Sequence, residues 1–301
     1  MRAHAPAYSR TLSATRRIVV IDLVVVGTPA FGTTCHTGPM TPTASRWAGL
    51  VEWLRRPLVL LLLISAVGLG LATLLGWGFA EVYEAVTNNN GIAGFDQPVL
   101  DAMVAGRAPV LTVIVNGFTM TGGPIGMPII GIVVTGILVR VSRTVRPLIL
   151  SLVAGGGSLA MMLAIKSLVG RSRPPLAEAV PPYESSASFP SGHALNAMVI
   201  TGILVYSILL IVHTQRARWL TVIVGGAYAI AIGLSRVYLG YHWLSDVVAA
   251  WLLGLAWLAV VIVAHRLAHA YATRARPDRT ALTTGSVSAP GKDPVAEDPA
   301  V

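Results

Sequence analysis

Residues 190–212 read PSGHALNAMVITGILVYSILLIV. The apolar run over 191–212, taken as a helix rising ~1.5 Å per residue, is long enough to cross the ~30 Å hydrocarbon core of a bilayer. Its start is chemically equipped. Ser191 is a good N-cap, and Gly192 lets a ligand approach the backbone closely. Free N–H groups and the helix dipole at that end attract an anion, and His193 lies over it in the first turn. A plain capped helix with an interfacial histidine would read the same way, so the neighbouring segments must decide.

Downstream come two further apolar spans, at about 219–239 and 243–264. Between them stand Ser235-Arg236, five residues, His242, three residues and Asp246. Four residues apart on a helix, His242 and Asp246 share a face. A carboxylate bonded to one ring nitrogen fixes the tautomer and leaves the other nitrogen nucleophilic. Taken alone, the pair reads better as polar residues at a helix start, with Asp246 near the cap. Upstream, a span at about 147–168 runs into Lys166-Ser-Leu-Val-Gly-Arg-Ser-Arg173-Pro174. Pro174 is expected to end that helix, placing Arg173 at its outer end and Lys166 about two turns deeper. A guanidinium offers a planar fork to phosphate oxygens and an ammonium offers a compact charge. Singly, each cation reads as a snorkelling side chain.

Two more spans precede these, at about 57–80 and 110–139. Gly122-Gly123-Pro124 and Pro128 interrupt the second, predicting a short interfacial helix to about Met120 and a membrane helix to Val139. The composition agrees: 54% hydrophobic, 12% charged and a mean hydropathy of +0.70 describe a polytopic membrane protein. The expected fold is all-α, a bundle of six transmembrane helices over 47–272. Residues 1–46 are expected to be a disordered extension, untranslated if Met40 is the true start. Their short apolar run from Ile18 to Val26 also resembles a signal-peptide core. Residues 273–301 are expected to be a disordered tail. The net charge of +9 is spread over loops and tails without interleaved aromatics, which argues against nucleic acid. A lone Cys35 excludes an intrachain disulfide framework and any multi-cysteine metal site.

Charge sets the orientation. Arg55 and Arg56, then Arg140, Arg143 and Arg146, then Arg216 and Arg218, then Arg266, Arg274, Arg276 and Arg279 all fall on one side of a six-span map. That side is expected to be cytoplasmic, with both termini inside. The first external loop is acidic, with Glu81, Glu84, Asp96 and Asp101 against Arg107. Four cations break the rule by lying outside: Lys166, Arg171, Arg173 and Arg236. Only two lysines stand against 20 arginines, and one of them is Lys166, in apolar surroundings. Three of the four exceptions belong to the polar clusters; Arg171 is the fourth.

In order and spacing, the three clusters resemble the signature of the type 2 phosphatidic acid phosphatase superfamily: lysine, six residues, Arg-Pro; Pro-Ser-Gly-His; Ser-Arg, five residues, His, three residues, Asp. Every motif position between Lys166 and Asp246 matches, while 1–46 and the tail lie outside the resemblance. The resemblance implies a membrane lipid phosphatase with its active site at the extracytoplasmic interface of the plasma membrane. His242 would attack phosphorus and Asp246 would orient it. His193 would protonate the leaving oxygen and then activate water. Lys166, Arg173, Arg236, Ser191 and Gly192 would bind the phosphoryl oxygens. No cofactor or metal is expected, since no acidic cluster is present to hold one. The substrate is expected to be a lipid phosphate or diphosphate whose tails stay among membrane lipids. Phosphatidic acid, phosphatidylglycerol phosphate and a polyprenyl diphosphate such as the undecaprenyl carrier are the candidates. The prokaryote-like tails and modest loops favour the polyprenyl carrier. A phosphotransferase would use the same residues. A transporter would place charges at the midplane and repeat broken helices, and neither pattern is present. The soluble vanadate haloperoxidases of the same superfamily do not fit six spans.

Overall fold

The structure is a computed structural model and describes Trp53 and residues 56–274. The extension expected over 1–46 and the tail beyond Arg274 lie outside the described residues, as do Arg55, Arg276 and Arg279. All regular structure among the described residues is helical.

Helix α1 (Pro57–Thr87) is followed by a 3-10 turn at Gly91–Phe95 and a short helix α2 (Asp96–Ala105). Helices α3 (Pro109–Thr121) and α4 (Gly126–Ser142) meet at 54°. Helices α5 (Arg146–Val169), α6 (Gly192–Leu209), α7 (Gln215–Tyr238) and α8 (Leu244–Arg274) complete the bundle. Among the described residues, five helices are long and apolar enough to cross a membrane, or six if α3 and α4 form one bent span. The break falls where the glycines and proline predicted it. At Gly126 a β-carbon would lie 2.3 Å from the Met120 carbonyl oxygen, so the sharp turn admits only glycine. Two elements outrun expectation. Helix α1 continues past residue 80 to Thr87, and α8 continues past residue 264 to Arg274.

Helix α6 lies at the centre, packed against α4, α5, α7 and α8, while α1 lies along α8. Its Leu195, Val199 and Ile203 are fully buried and join Leu150, Val247 and Leu258 in one core. Lipid tails are as apolar as leucine, so close packing replaces the hydrophobic drive between membrane helices. Glycines permit that approach: a β-carbon at Gly157 would overlap Trp257, and one at Gly225 would overlap Val205. The outward faces carry Leu62, Val67, Trp77, Val113 and Ile132, all exposed and apolar, as lipid contact requires.

The helices alternate in direction, so the ends of α5 and α7 and the starts of α6 and α8 gather at one end of the bundle. The Arg140–Arg146 loop and the start of α7 with Arg216 and Arg218 fall at the opposite end.

Candidate active site

Helix α5 stops earlier than Pro174 would dictate. Gly170 adopts φ +60°, its N–H returns to the Lys166 carbonyl, and the chain leaves the helix there. The left-handed conformation is open to glycine and strained for most other residues. Arg171 and Arg173 therefore project from an extended loop, correcting the expectation that Arg173 sits on the end of the helix. Lys166 remains in the last helical turn and donates to the Ala187 carbonyl at 2.5 Å and, more weakly, to Ser186 Oγ at 3.4 Å.

The second correction concerns His242. It precedes α8 in the turn after Gly240, and only Asp246 is helical. Gly240 has φ +74°, and a β-carbon there would strike the Glu178 carbonyl oxygen at 2.3 Å. That turn brings His242 Nδ1 to 3.3 Å from Asp246 Oδ2 without a shared helix face. Asp246 Oδ2 also accepts from Ser188 Oγ at 2.5 Å and from the Trp243 N–H at 3.0 Å. Asp246 thus both accepts at the start of α8 and contacts the His242 ring.

Around the other ring nitrogen, Arg173 Nη1 lies 3.2 Å from His242 Nε2 and donates to the Tyr241 carbonyl at 2.7 Å. Arg173 also contacts Glu184 at 2.8 Å and the Ser186 carbonyl at 2.7 Å. Arg236 is 1% exposed; it pairs with the other oxygen of Glu184, donates to Thr119 at 3.3 Å and stacks over Tyr241 at 4.1 Å. Its Nε is buried and has no partner among the described residues. One carboxylate therefore bridges two guanidiniums beside an imidazole. Partial burial alone would raise the Glu184 pKa, but Arg236 and Arg173 outweigh it and hold the carboxyl at about 2. Burial lowers His242 to about 4 against the opposing pull of Asp246, so the ring is neutral near pH 7.

Ser191 caps α6 as expected, accepting from the Ala194 N–H at 3.5 Å, while its own N–H donates to the Asp246 carbonyl at 3.2 Å. It is fully buried, so its hydroxyl serves the helix start. Gly192 faces Met162 closely: a β-carbon would come within 2.7 Å of its sulfur. His193 stands beside the α3–α4 break, where a β-carbon on Gly123 would lie 3.1 Å from His193 Nε2. It shares the charge field of Arg236, Glu184, His242 and Arg173.

The structure thus gathers Lys166, Arg173, Ser191, Gly192, His193, Arg236, His242 and Asp246 at one end of the bundle. Glu184, Ser188, Asp96 and Thr119 join them without having been singled out as site residues. Glu184 carried a usable signal, being an acidic residue in the loop between the Lys166–Pro174 and Pro190–His193 motifs. Ser188 and Thr119 carried none.

A sequence profile described as the PAP2 superfamily matches residues 144–270. Phosphatidylglycerophosphatase B of Bacillus subtilis is 32% identical over 181 residues, covering 59% of this chain and 86% of that protein. An undecaprenyl-diphosphatase of Sulfolobus acidocaldarius is 39% identical over 82 residues, 27% of this chain and 35% of that one. The crystal structure of a transmembrane PAP2-type phosphatidylglycerolphosphate phosphatase from Bacillus subtilis superposes with a TM-score of 0.59 at 25% identity. It covers 69% of this chain and 98% of its own.

Proposed function

This chain belongs to the PAP2 superfamily, and on that footing we propose that it hydrolyses the phosphate of a membrane lipid through a phosphohistidine at His242. The observation that carries the reading is the Glu184 carboxylate held between Arg173 and Arg236 at 2.8 Å and closer, beside His242 Nε2. A planar two-oxygen anion already occupies a cradle suited to phosphoryl oxygens.

Substrate displaces Glu184, and its oxygens take Arg173, Arg236 and Lys166, with the unpartnered Arg236 Nε as one further donor. The first N–H groups of α6, at Gly192 and His193, add dipole and hydrogen bonds, and Ser191 fixes that helix start. His242 keeps a proton on Nδ1, donated to Asp246, and its Nε2 lone pair attacks phosphorus. The Nε2–P bond forms as the bond to the lipid oxygen breaks, and His193 gives its proton to that oxygen. His193, now neutral, takes a proton from water. The water oxygen bonds to phosphorus, the Nε2–P bond breaks, and inorganic phosphate leaves. Every charge on the phosphoryl group is met by protein cations, so the reading routes no step through a metal.

The site opens, in this reading, at the extracytoplasmic face, because the Arg140–Arg146 and Arg216–Arg218 loops lie at the other end of the bundle. The acceptor is water and the substrate a glycerophospholipid phosphomonoester such as phosphatidylglycerol phosphate. The long match to a phosphatidylglycerophosphatase favours this over the polyprenyl carrier to which the tails pointed. The shorter match to an undecaprenyl-diphosphatase supports the second reading, a polyprenyl diphosphate. Phosphate release by purified protein from a panel of phosphatidylglycerol phosphate, phosphatidic acid and undecaprenyl diphosphate tests both. Release from phosphatidylglycerol phosphate at the highest kcat/KM supports the first reading and preference for the diphosphate supports the second. Transfer to an added alcohol with no free phosphate points to a phosphotransferase.

A further inference from the structure

Arg171 is the external cation that no cluster claims, and the structure gives it a place. Its Nη1 donates to Asp246 Oδ1 at 2.5 Å and to Ser245 Oγ at 2.8 Å, and its Nη2 donates to Asp96 Oδ2 at 2.7 Å. Asp96, in the first turn of α2, also accepts from the Ser245 N–H at 2.8 Å and from Ser245 Oγ at 2.6 Å. The Asp246 side chain is fully buried, that of Asp96 is 5% exposed and that of Arg171 17% exposed.

The two oxygens of Asp246 have divided tasks. Oδ2 faces His242, Ser188 and the Trp243 N–H, while Oδ1 is held by Arg171. A carboxylate pinned through one oxygen cannot swing the other away from its partner. Charge follows the same chain. Arg171 draws on Asp246, and Asp96 offsets Arg171, so Asp246 keeps enough negative charge to stabilise an imidazolium at His242. Two nearly buried carboxylates around one arginine are a poor source of stability, since the cost of removing ions from water rivals their attraction. Such an arrangement fits better with setting the position and charge of a reacting pair.

We infer that Arg171 and Asp96 are positioning residues: through Asp246 they fix the orientation and basicity of His242. The start of α2 is thereby part of the catalytic apparatus. This rests on the reading of His242 and Asp246 as the reacting pair. The groups facing His242 are Asp246 of α8, Arg173 and Glu184 from the loops, Arg236 of α7 and His193 of α6. None of them is changed in the test.

The test compares wild type with Asp96→Asn, Arg171→Gln and Arg171→Lys in detergent, with His242→Ala alongside. It follows phosphate release across pH, inhibition by inorganic vanadate, and thermal unfolding. Asp96→Asn should lower kcat by about 10-fold or more, in the range that supporting-shell substitutions produce. KM and the vanadate constant should stay within about 2-fold, because the anion cradle is intact. The acid limb of kcat/KM should move down in Asp96→Asn and up in Arg171→Gln, by roughly half a pH unit each, as opposite charge changes require. Arg171→Lys should recover part of the loss. The shared substrate makes its own ionisation cancel in these differences. Loss that tracks thermal unfolding at every pH, equal changes in kcat and KM, or shifts of the same sign would overturn the assignment and leave a structural tether. If His242→Ala itself turns over normally, the phosphohistidine reading fails and this inference with it. If that variant is dead while Asp96→Asn is unaffected, only the positioning role fails.

Discussion

Glu184 and Arg236 meet carboxylate to guanidinium inside the site, and the second oxygen of Glu184 reaches Arg173 at 2.8 Å. On the proposed reading, this side chain competes with substrate for the two cations. Glu184→Gln should bind inorganic phosphate or vanadate more tightly, by roughly 10-fold, which corresponds to ~1.4 kcal/mol. It should also unfold at a lower temperature without ligand, since a buried guanidinium loses its counter-charge, and vanadate should restore the difference. With its pKa held at about 2, Glu184 stays ionised throughout the physiological range, so the substrate dianion must displace it, not acid. Unchanged vanadate affinity in the variant would remove the competition argument.

His242→Ala should abolish turnover, by a factor of at least ~10³, as loss of a nucleophile does elsewhere. The protein should still fold and bind vanadate through Lys166, Arg173 and Arg236. Rapid-quench labelling with a 32P-lipid should trap an acid-labile, base-stable phosphoenzyme in wild type and none in the variant. Near-normal turnover would sink the mechanism.

The bundle and the site were legible to different depths. Spans and kink could be read because apolar runs and glycine-proline breaks are local signals, and the motif residues because their spacing is fixed along the chain. The end of α5 differs from the one Pro174 predicts because Gly170 turns the chain four residues sooner. The His242–Asp246 contact was expected from helical spacing, yet a turn built on Gly240 delivers it. Asp96 and Arg171 are 75 residues apart, and nothing local to either predicts their contact. Arg171 nevertheless announced itself by standing on the wrong side of the charge map.

Acid should act on stability through His242. Burial lowers its folded pKa to about 4 from the usual 6.5, so the unfolded chain binds the proton more readily. The stability it contributes is fully present above about pH 6.5 and is lost as pH falls towards 4. Thermal unfolding in detergent should show this loss in wild type, and a smaller one in His242→Gln over the same window. Identical pH profiles would show that His242 is not held neutral by burial.

Phosphate release should survive excess EDTA, because on the proposed reading Lys166, Arg173 and Arg236 neutralise the phosphoryl charge that a divalent ion would otherwise meet. The assay is phosphate release before and after chelation, with magnesium, manganese and calcium added back. Activity lost to EDTA and restored by one of these ions would assign the protein a different chemistry.

The side of the membrane on which the site opens can be decided independently of catalysis. Four sets of arginines mark one end of the six-span map, and the candidate site lies at the other. A reporter fused after Ala272 should therefore read cytoplasmic, and a single cysteine replacing exposed Tyr183 should react with an impermeant maleimide in intact cells. Tyr183 adjoins Glu184, so the labelled position reports on the mouth of the site itself. The native Cys35 is replaced by serine in this experiment to leave one thiol. An external reporter signal, with Tyr183→Cys protected until the cells are lysed, would invert the map. The lipid phosphate would then have to be drawn from the inner leaflet, with the cradle chemistry unchanged.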